Sequence, residues 1–158
     1  MIELFYRIIK KILIIFHKIL NFGLYKNGVI LYGIPKLINR KNINLDHNVR
    51  INGNVFIHGD GGVHIGENTT LSYGATIIST GYDVRSWDKN KINKNHKSKS
   101  INIGKNVWIC ANATILPGVN ISDEIVVAAG SLVNSDLLES GYIYGGIPAK
   151  KLRKFYKG

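Results

Sequence analysis

The chain has 158 residues, a formal net charge of +11 and a hydrophobic content of 45%. That length suits one domain, and the apolar content together with seventeen glycines excludes a disordered chain. The single cysteine, Cys110, excludes an intrachain disulfide, and a charge this basic points to anionic partners: nucleic acid, an anionic membrane surface or a phosphorylated ligand.

No helix-turn-helix, RNA-binding sheet motif or zinc-finger spacing is present, so nucleic acid is set aside. Cys110 sits one place after an apolar position and reads as a small packing residue. One cysteine also suits a reducing, cytoplasmic setting.

Residues 1–20 predict an amphipathic helix. Spacing side chains by 100° puts Arg7, Lys10, Lys11, His17 and Lys18 on one side and Phe5, Ile8, Ile9, Ile12, Ile15, Phe16 and Ile19 on the other. The longest unbroken apolar run, Ile12 to Phe16, is too short to span a bilayer. No small-residue cleavage site follows, which argues against a signal peptide. Two expectations follow for this helix. Its apolar side caps the first coil or a partner subunit, or the helix lies peripherally on an anionic membrane. Residues 21–42 predict an irregular lead-in, with Gly33-Ile34-Pro35 as a turn.

From Leu45 an apolar residue recurs at every sixth position. The series runs Leu45, Ile51, Ile57, then Ile65, Leu71, Ile77, then Ile103, Ile109, Ile115, Ile121, Val127, Val133. A second small or β-branched residue follows four places later, as at Val49, Thr69, Ala75, Val107, Ala113 and Ser131. Neither a helix nor a strand has this period. It marks a solenoid of short faces, three to a coil of about eighteen residues, with coils stacked at about 4.8 Å. Residues 43–153 form this unit, with 1–42 as helix and lead-in and 154–158 as a tail. Residues 81–100 interrupt the repeat as an extruded polar loop, a feature that carries function more often than not. Residues 149–156 predict a short terminal helix.

The form Ile65-Gly-Glu-Asn-Thr-Thr70, repeated as Ile103-Gly-Lys-Asn-Val-Trp108, resembles the hexapeptide-repeat acyltransferases. That resemblance implies an all-β solenoid: a left-handed parallel β-helix, here of about four coils. Asn106 to Val119, Ala128 to Val133 and Gly146-Ile-Pro-Ala-Lys150 are similar to the acetyl-coenzyme A half of the galactoside, maltose, O-antigen and capsule O-acetyltransferases. The likeness implies that Ala111, Ala129, Asn134 and Lys150 contact acetyl-coenzyme A. Stacking by eighteen places Ala111, Ala129 and Ile147 in one column, where small side chains leave a groove for the pantetheine arm. Lys150, Lys151 and Arg153 suit its phosphates. The likeness also implies a homotrimer with its active site between neighbouring prisms, acting in surface polysaccharide assembly. The acceptor is a sugar, free or linked to a nucleotide or lipid.

In the family, the position of Tyr82 usually carries a histidine that deprotonates the acceptor. Imidazole titrates near neutrality, whereas a phenol is a weak base there. Three substitutes are open: His64, eighteen residues before Tyr82 and therefore one coil below; His96 in the loop; and His58 on a preceding face, which also suits acceptor contact. An amine acceptor, positioned by Tyr82 and Asp83, needs less help from a base. An inactive trimeric scaffold is a third outcome. Trp108 and Trp87 offer aromatic faces to a sugar ring. A zinc hydratase of the carbonic-anhydrase type needs three converging histidines, and only His58 and His64 offer themselves. No metal is expected.

Overall fold

The computed structural model describes residues 2–86 and 95–155. Trp87, Lys89, Lys91 and Lys94 lie outside the described residues.

Short parallel strands stack into three faces of a left-handed β-helix. The first face holds Ile30–Leu31, Arg50–Ile51, Thr70–Leu71, Trp108–Ile109, Val126–Val127 and Tyr142–Gly146. The second holds Lys36–Ile38, Phe56–His58, Thr76–Ile78, Thr114–Ile115 and Leu132–Val133. The third holds Ile43–Leu45, Val63–Ile65, Ile101–Ile103 and Asn120–Ile121. There are about five turns, not four, because Ile30–Leu31 and Lys36–Ile38 pair in register with Arg50–Ile51 and Phe56–His58 and add a coil. Part of the expected lead-in is therefore solenoid.

The hexad residues point inward and are fully buried: Ile51, Ile57, Ile65, Leu71, Ile77, Ile103, Ile109 and Ile115 stack as aliphatic ladders. Each such side chain contributes roughly 1.5–3 kcal/mol of burial. The other hexad letters follow from the corners. Gly66 sits where a Cβ would come within 2.6 Å of the Gly104 backbone. Asn48, Asn68 and Asn106 take left-handed φ near +57° in a column up one corner, a conformation asparagine tolerates better than most residues. Thr69 turns inward and is satisfied, donating to the Gly104 carbonyl (2.8 Å) and accepting from the Val107 N–H (3.1 Å).

The stacking period is not constant. Arg50 pairs with Thr70, twenty residues on, whereas Trp108 pairs with Val126, eighteen on, and Val126 with Ile143, seventeen on. The C-terminal segment is also a strand and not a helix. Ala149–Lys154 folds back antiparallel on Tyr142–Gly146, where the open sheet edge offers hydrogen bonds that a free helix would forgo.

The N-terminal helix α1 (Ile2–Leu20) is held by the side opposite to the one expected to cap the coil. Ile14, His17 and Lys18 are its only partly buried residues. Ile14 packs against the core. Lys18 Nζ donates to the Val29 carbonyl (2.8 Å), and His17 Nε2 lies 3.0 Å from the Tyr25 hydroxyl. The middle of the apolar side faces away from the solenoid, while its edges, Leu4 and Ile8 on one side and Tyr6, Ile9 and Leu13 on the other, line clefts against it.

Candidate active site

The extruded segment leaves the prism at the corner after Thr76–Ile78 as an antiparallel hairpin, Thr80–Tyr82 against His96–Ser98. Buried polar groups fix its root. The Ser79 hydroxyl donates to the His58 carbonyl and accepts from the Gly61 N–H (2.9 Å). Ser98 Oγ donates to Thr80 Oγ1 (2.8 Å), and the Lys99 N–H donates to the Ser79 carbonyl (2.9 Å). Gly61 forms the floor of this exit. A Cβ there would come within 2.4 Å of the Ser79 carbonyl and 2.6 Å of the Lys99 carbonyl. Polar residues at inward positions 79 and 80 are the signal of a chain leaving the solenoid.

Further out, Tyr82 and His96 are directly opposed across the two strands. Their rings are tilted at 38°, with centroids 4.8 Å apart. Asp83 is held by Arg85 in two short contacts, Nη2 to Oδ2 at 2.7 Å and Nε to Oδ1 at 2.9 Å. The Arg85 guanidinium keeps its carboxyl far below the usual carboxylate range. Asp83 is thus a fixed anion beside the Tyr82–His96 pair and is poorly suited to proton transfer.

The stacking expected between His64 and Tyr82 does not form. The strand above His64 is Ile101–Ile103, and His64 pairs with Asn102, because the hairpin departs before the third face is reached. His64 Nε2 instead lies 3.1 Å from Asp46 Oδ2. His58 is on the second face, beneath Ile78, with Nε2 3.1 Å from Asp60 Oδ2. The two histidines point out from different faces, so they do not converge on one point. Among the described residues no cluster of three or more His, Cys, Asp or Glu could hold a metal ion.

The residues assigned to coenzyme divide. Ala111 and Ala129 both occupy the corner between the first and second faces, one coil apart, and the Gly130 N–H donates to the Ala111 carbonyl (2.9 Å). Ile147 does not complete their column. The seventeen-residue step shifts it into the terminal turn, where it is three-quarters exposed. Asn134 is exposed at the next corner, after Leu132–Val133. Lys150 and Lys151 lie on the returning strand, opposite Gly145 and Tyr144. Lys151 is engaged by Glu139 (2.7 Å) and lies over the Tyr142 ring, and the Glu139 carboxylate raises its pKa. The close fit of this strand was not evident beforehand: a Cβ on Gly145 would come within 2.9 Å of Leu152 and 3.1 Å of Ala128. Trp108 projects from the first face, half exposed, with Nε1 donating to Ser72 Oγ (2.9 Å). Cys110 is half-buried, and burial pushes its thiol pKa up, as a packing residue requires.

Within one chain the two groups of candidate residues stand on different corners. Tyr82 and His96 leave the prism between the second and third faces, while Ala111 and Ala129 lie between the first and second.

The left-handed β-helix is the fold of the hexapeptide-repeat acetyltransferases, and this chain is a homologue of them. It is 35% identical over 115 residues to the galactoside O-acetyltransferase of Escherichia coli (strain K12), covering 72% of this chain and 54% of that one. The solved structure of a galactoside acetyltransferase in complex with coenzyme A has a TM-score of 0.72 at 30% identity, covering 81% of this chain and 64% of that chain. The polysialic acid O-acetyltransferase OatWY has a TM-score of 0.57 at 25% identity, covering 81% of this chain and 65% of that chain. The chain spans about half the length of the curated relatives it matches. No protein-family model matches it.

Proposed function

We propose that the protein transfers an acetyl group from acetyl-coenzyme A to a sugar hydroxyl, with His96 as general base. The observation that carries this is the 4.8 Å contact between His96 and Tyr82. Where relatives are expected to place an imidazole on the first hairpin strand, this chain supplies one from the opposite strand. The relatives' own names, galactoside O-acetyltransferase and polysialic acid O-acetyltransferase, support a sugar acceptor, and a relative named for lipopolysaccharide biosynthesis O-acetyl transfer supports a place in surface polysaccharide assembly.

Acetyl-coenzyme A supplies the acyl group as a thioester. A His96 ring nitrogen takes the acceptor hydroxyl proton as that oxygen attacks, and returns a proton to the departing sulfur. Tyr82 holds the imidazole by ring contact. Ala111 and Ala129 leave the corner shallow, so backbone amides there can reach the pantetheine arm and the developing oxyanion. Lys150 meets the phosphates; Lys151 joins it only by leaving Glu139.

The separation of the two halves on one prism supports a homotrimer, in which the hairpin of one subunit meets the coenzyme corner of the next. The cytoplasm, where acetyl-coenzyme A is made, is the fitting compartment. Thiol release from acetyl-coenzyme A against a panel of sugars and amino sugars tests the reading. Turnover with sugars that lack an amine supports it. Turnover confined to amino sugars replaces it with N-acetylation, and coenzyme binding without any turnover across the panel counts for a scaffold.

A further inference from the structure

We propose that α1 docks the protein on an anionic lipid surface, with the helix lying in the interface and the solenoid on its aqueous side. This stands independently of the acetyltransferase reading.

The orientation of α1 carries the inference. Around its axis Ile14, His17 and Lys18, the residues that touch the body, share one side with Glu3, Arg7, Lys10 and Lys11. The remaining arc, about 200° at 100° per residue, is wholly apolar apart from the Tyr6 hydroxyl. It runs from Leu4 through Ile15, Ile8, Ile19, Ile12, Phe5, Phe16, Ile9 and Leu13 to Tyr6. These side chains are exposed, Ile12 and Phe16 each at 59% and Ile19 at 66%. A helix of a globular protein normally turns such a stripe to its core. Here the polar edge is the attached one.

The arc itself selects the occupant. A helix packed on one protein surface presents an apolar stripe of about 100° or somewhat more, and a coiled-coil seam is narrower. The edges of this arc line clefts against the body, and its middle, with Phe5, Ile12, Phe16 and Ile19 exposed, suits a medium that wets the helix from every outward direction, as acyl chains do. Charge makes the same choice. Lys10 and Lys11 flank the arc on the side of the protein body, where headgroups would stand, while Arg7 pairs with the one acid of the helix, Glu3 (3.1 Å). Exposed Tyr32 and Ile34 line the clefts on either side of the helix and extend the apolar footing. Among the described residues no helix is long and apolar enough to cross a membrane, so the helix rests on the surface.

The test is co-sedimentation of the full chain with vesicles of phosphatidylcholine alone and of phosphatidylcholine mixed with phosphatidylglycerol. The wild type is expected to pellet with the mixed vesicles and to bind about tenfold less to the neutral ones or at high salt. Ile12→Glu/Phe16→Glu, at exposed positions that carry none of the fold, should lose at least about tenfold of that binding while keeping coenzyme binding and particle size. Lys10→Glu/Lys11→Glu should abolish the preference for the anionic lipid. Wild type that stays in the supernatant overturns the proposal. So does a particle that shrinks on Ile12→Glu/Phe16→Glu without any vesicle binding, since the arc would then be a contact between copies of this chain. Binding to mixed vesicles that is indifferent to both double substitutions overturns it as well.

Discussion

Tyr82 and His96 face each other across the extruded hairpin with ring centroids 4.8 Å apart, and Asp83, beside Tyr82, is clamped by Arg85. The pair has an imidazole that can carry a proton and a phenol that can hold it in place. His96→Ala is expected to lower kcat by about 10²–10⁴-fold, the usual contribution of general base catalysis, with little change in acetyl-coenzyme A binding. Tyr82→Phe keeps the ring contact and should stay within a few-fold of wild type, whereas Tyr82→Ala loses it and should fall between the two. Thiol release and coenzyme titration on the three variants check this. Full activity in His96→Ala, with loss in His64→Ala or His58→Ala, would move the base to one of those His–Asp pairs.

Gly61 lies under the two strands of the hairpin root, and the atoms a Cβ would meet are backbone. Gly61→Ala must therefore shift the exit of the hairpin. A loss of about 1–3 kcal/mol, the usual cost of overpacking, is expected in urea unfolding, along with lower kcat. A variant as stable and active as wild type would show that the exit is loosely held.

Ala129 is exposed on the corner one coil above Ala111, so enlarging it costs the core nothing. Ala129→Trp should raise KM for acetyl-coenzyme A by at least about tenfold, or 1.4 kcal/mol, without altering the unfolding midpoint. An unchanged KM would remove this corner from the coenzyme site.

His17 anchors α1, and its pKa is lowered first by burial and then by Arg40. The detached or unfolded helix therefore binds the proton more readily than the docked one. The anchoring contribution is fully present above the ordinary value of about 6.5 and is lost as pH falls through the lowered folded value. Tyr25, whose own pKa burial pushes up, stays a neutral partner throughout. Hydrogen exchange across residues 17–25, corrected for intrinsic rates, should show protection declining below about pH 6.5. His17→Gln should flatten that decline.

The hexad spacing from Leu45 to Val133 was enough to define the solenoid, because an inward residue every sixth position has only one regular geometry that buries it. The glycine and asparagine corners emerge from the structure, where close backbone approach and left-handed φ restrict residue choice strongly. The shared corner of Ala111 and Ala129 was readable too, since eighteen-residue stacking holds between them. It failed wherever the period changed. Seventeen residues displaced Ile147, and the departing hairpin left His64 beneath Asn102 instead of Tyr82. The terminal strand and the side on which α1 is attached were likewise decided in three dimensions. Local sequence sets which faces of an element are apolar or polar. Which face is used depends on the open sheet edges and hydrogen-bond partners that distant segments present. His96 shows this most directly: it lies fourteen residues from Tyr82, and only antiparallel pairing of the hairpin brings their rings together.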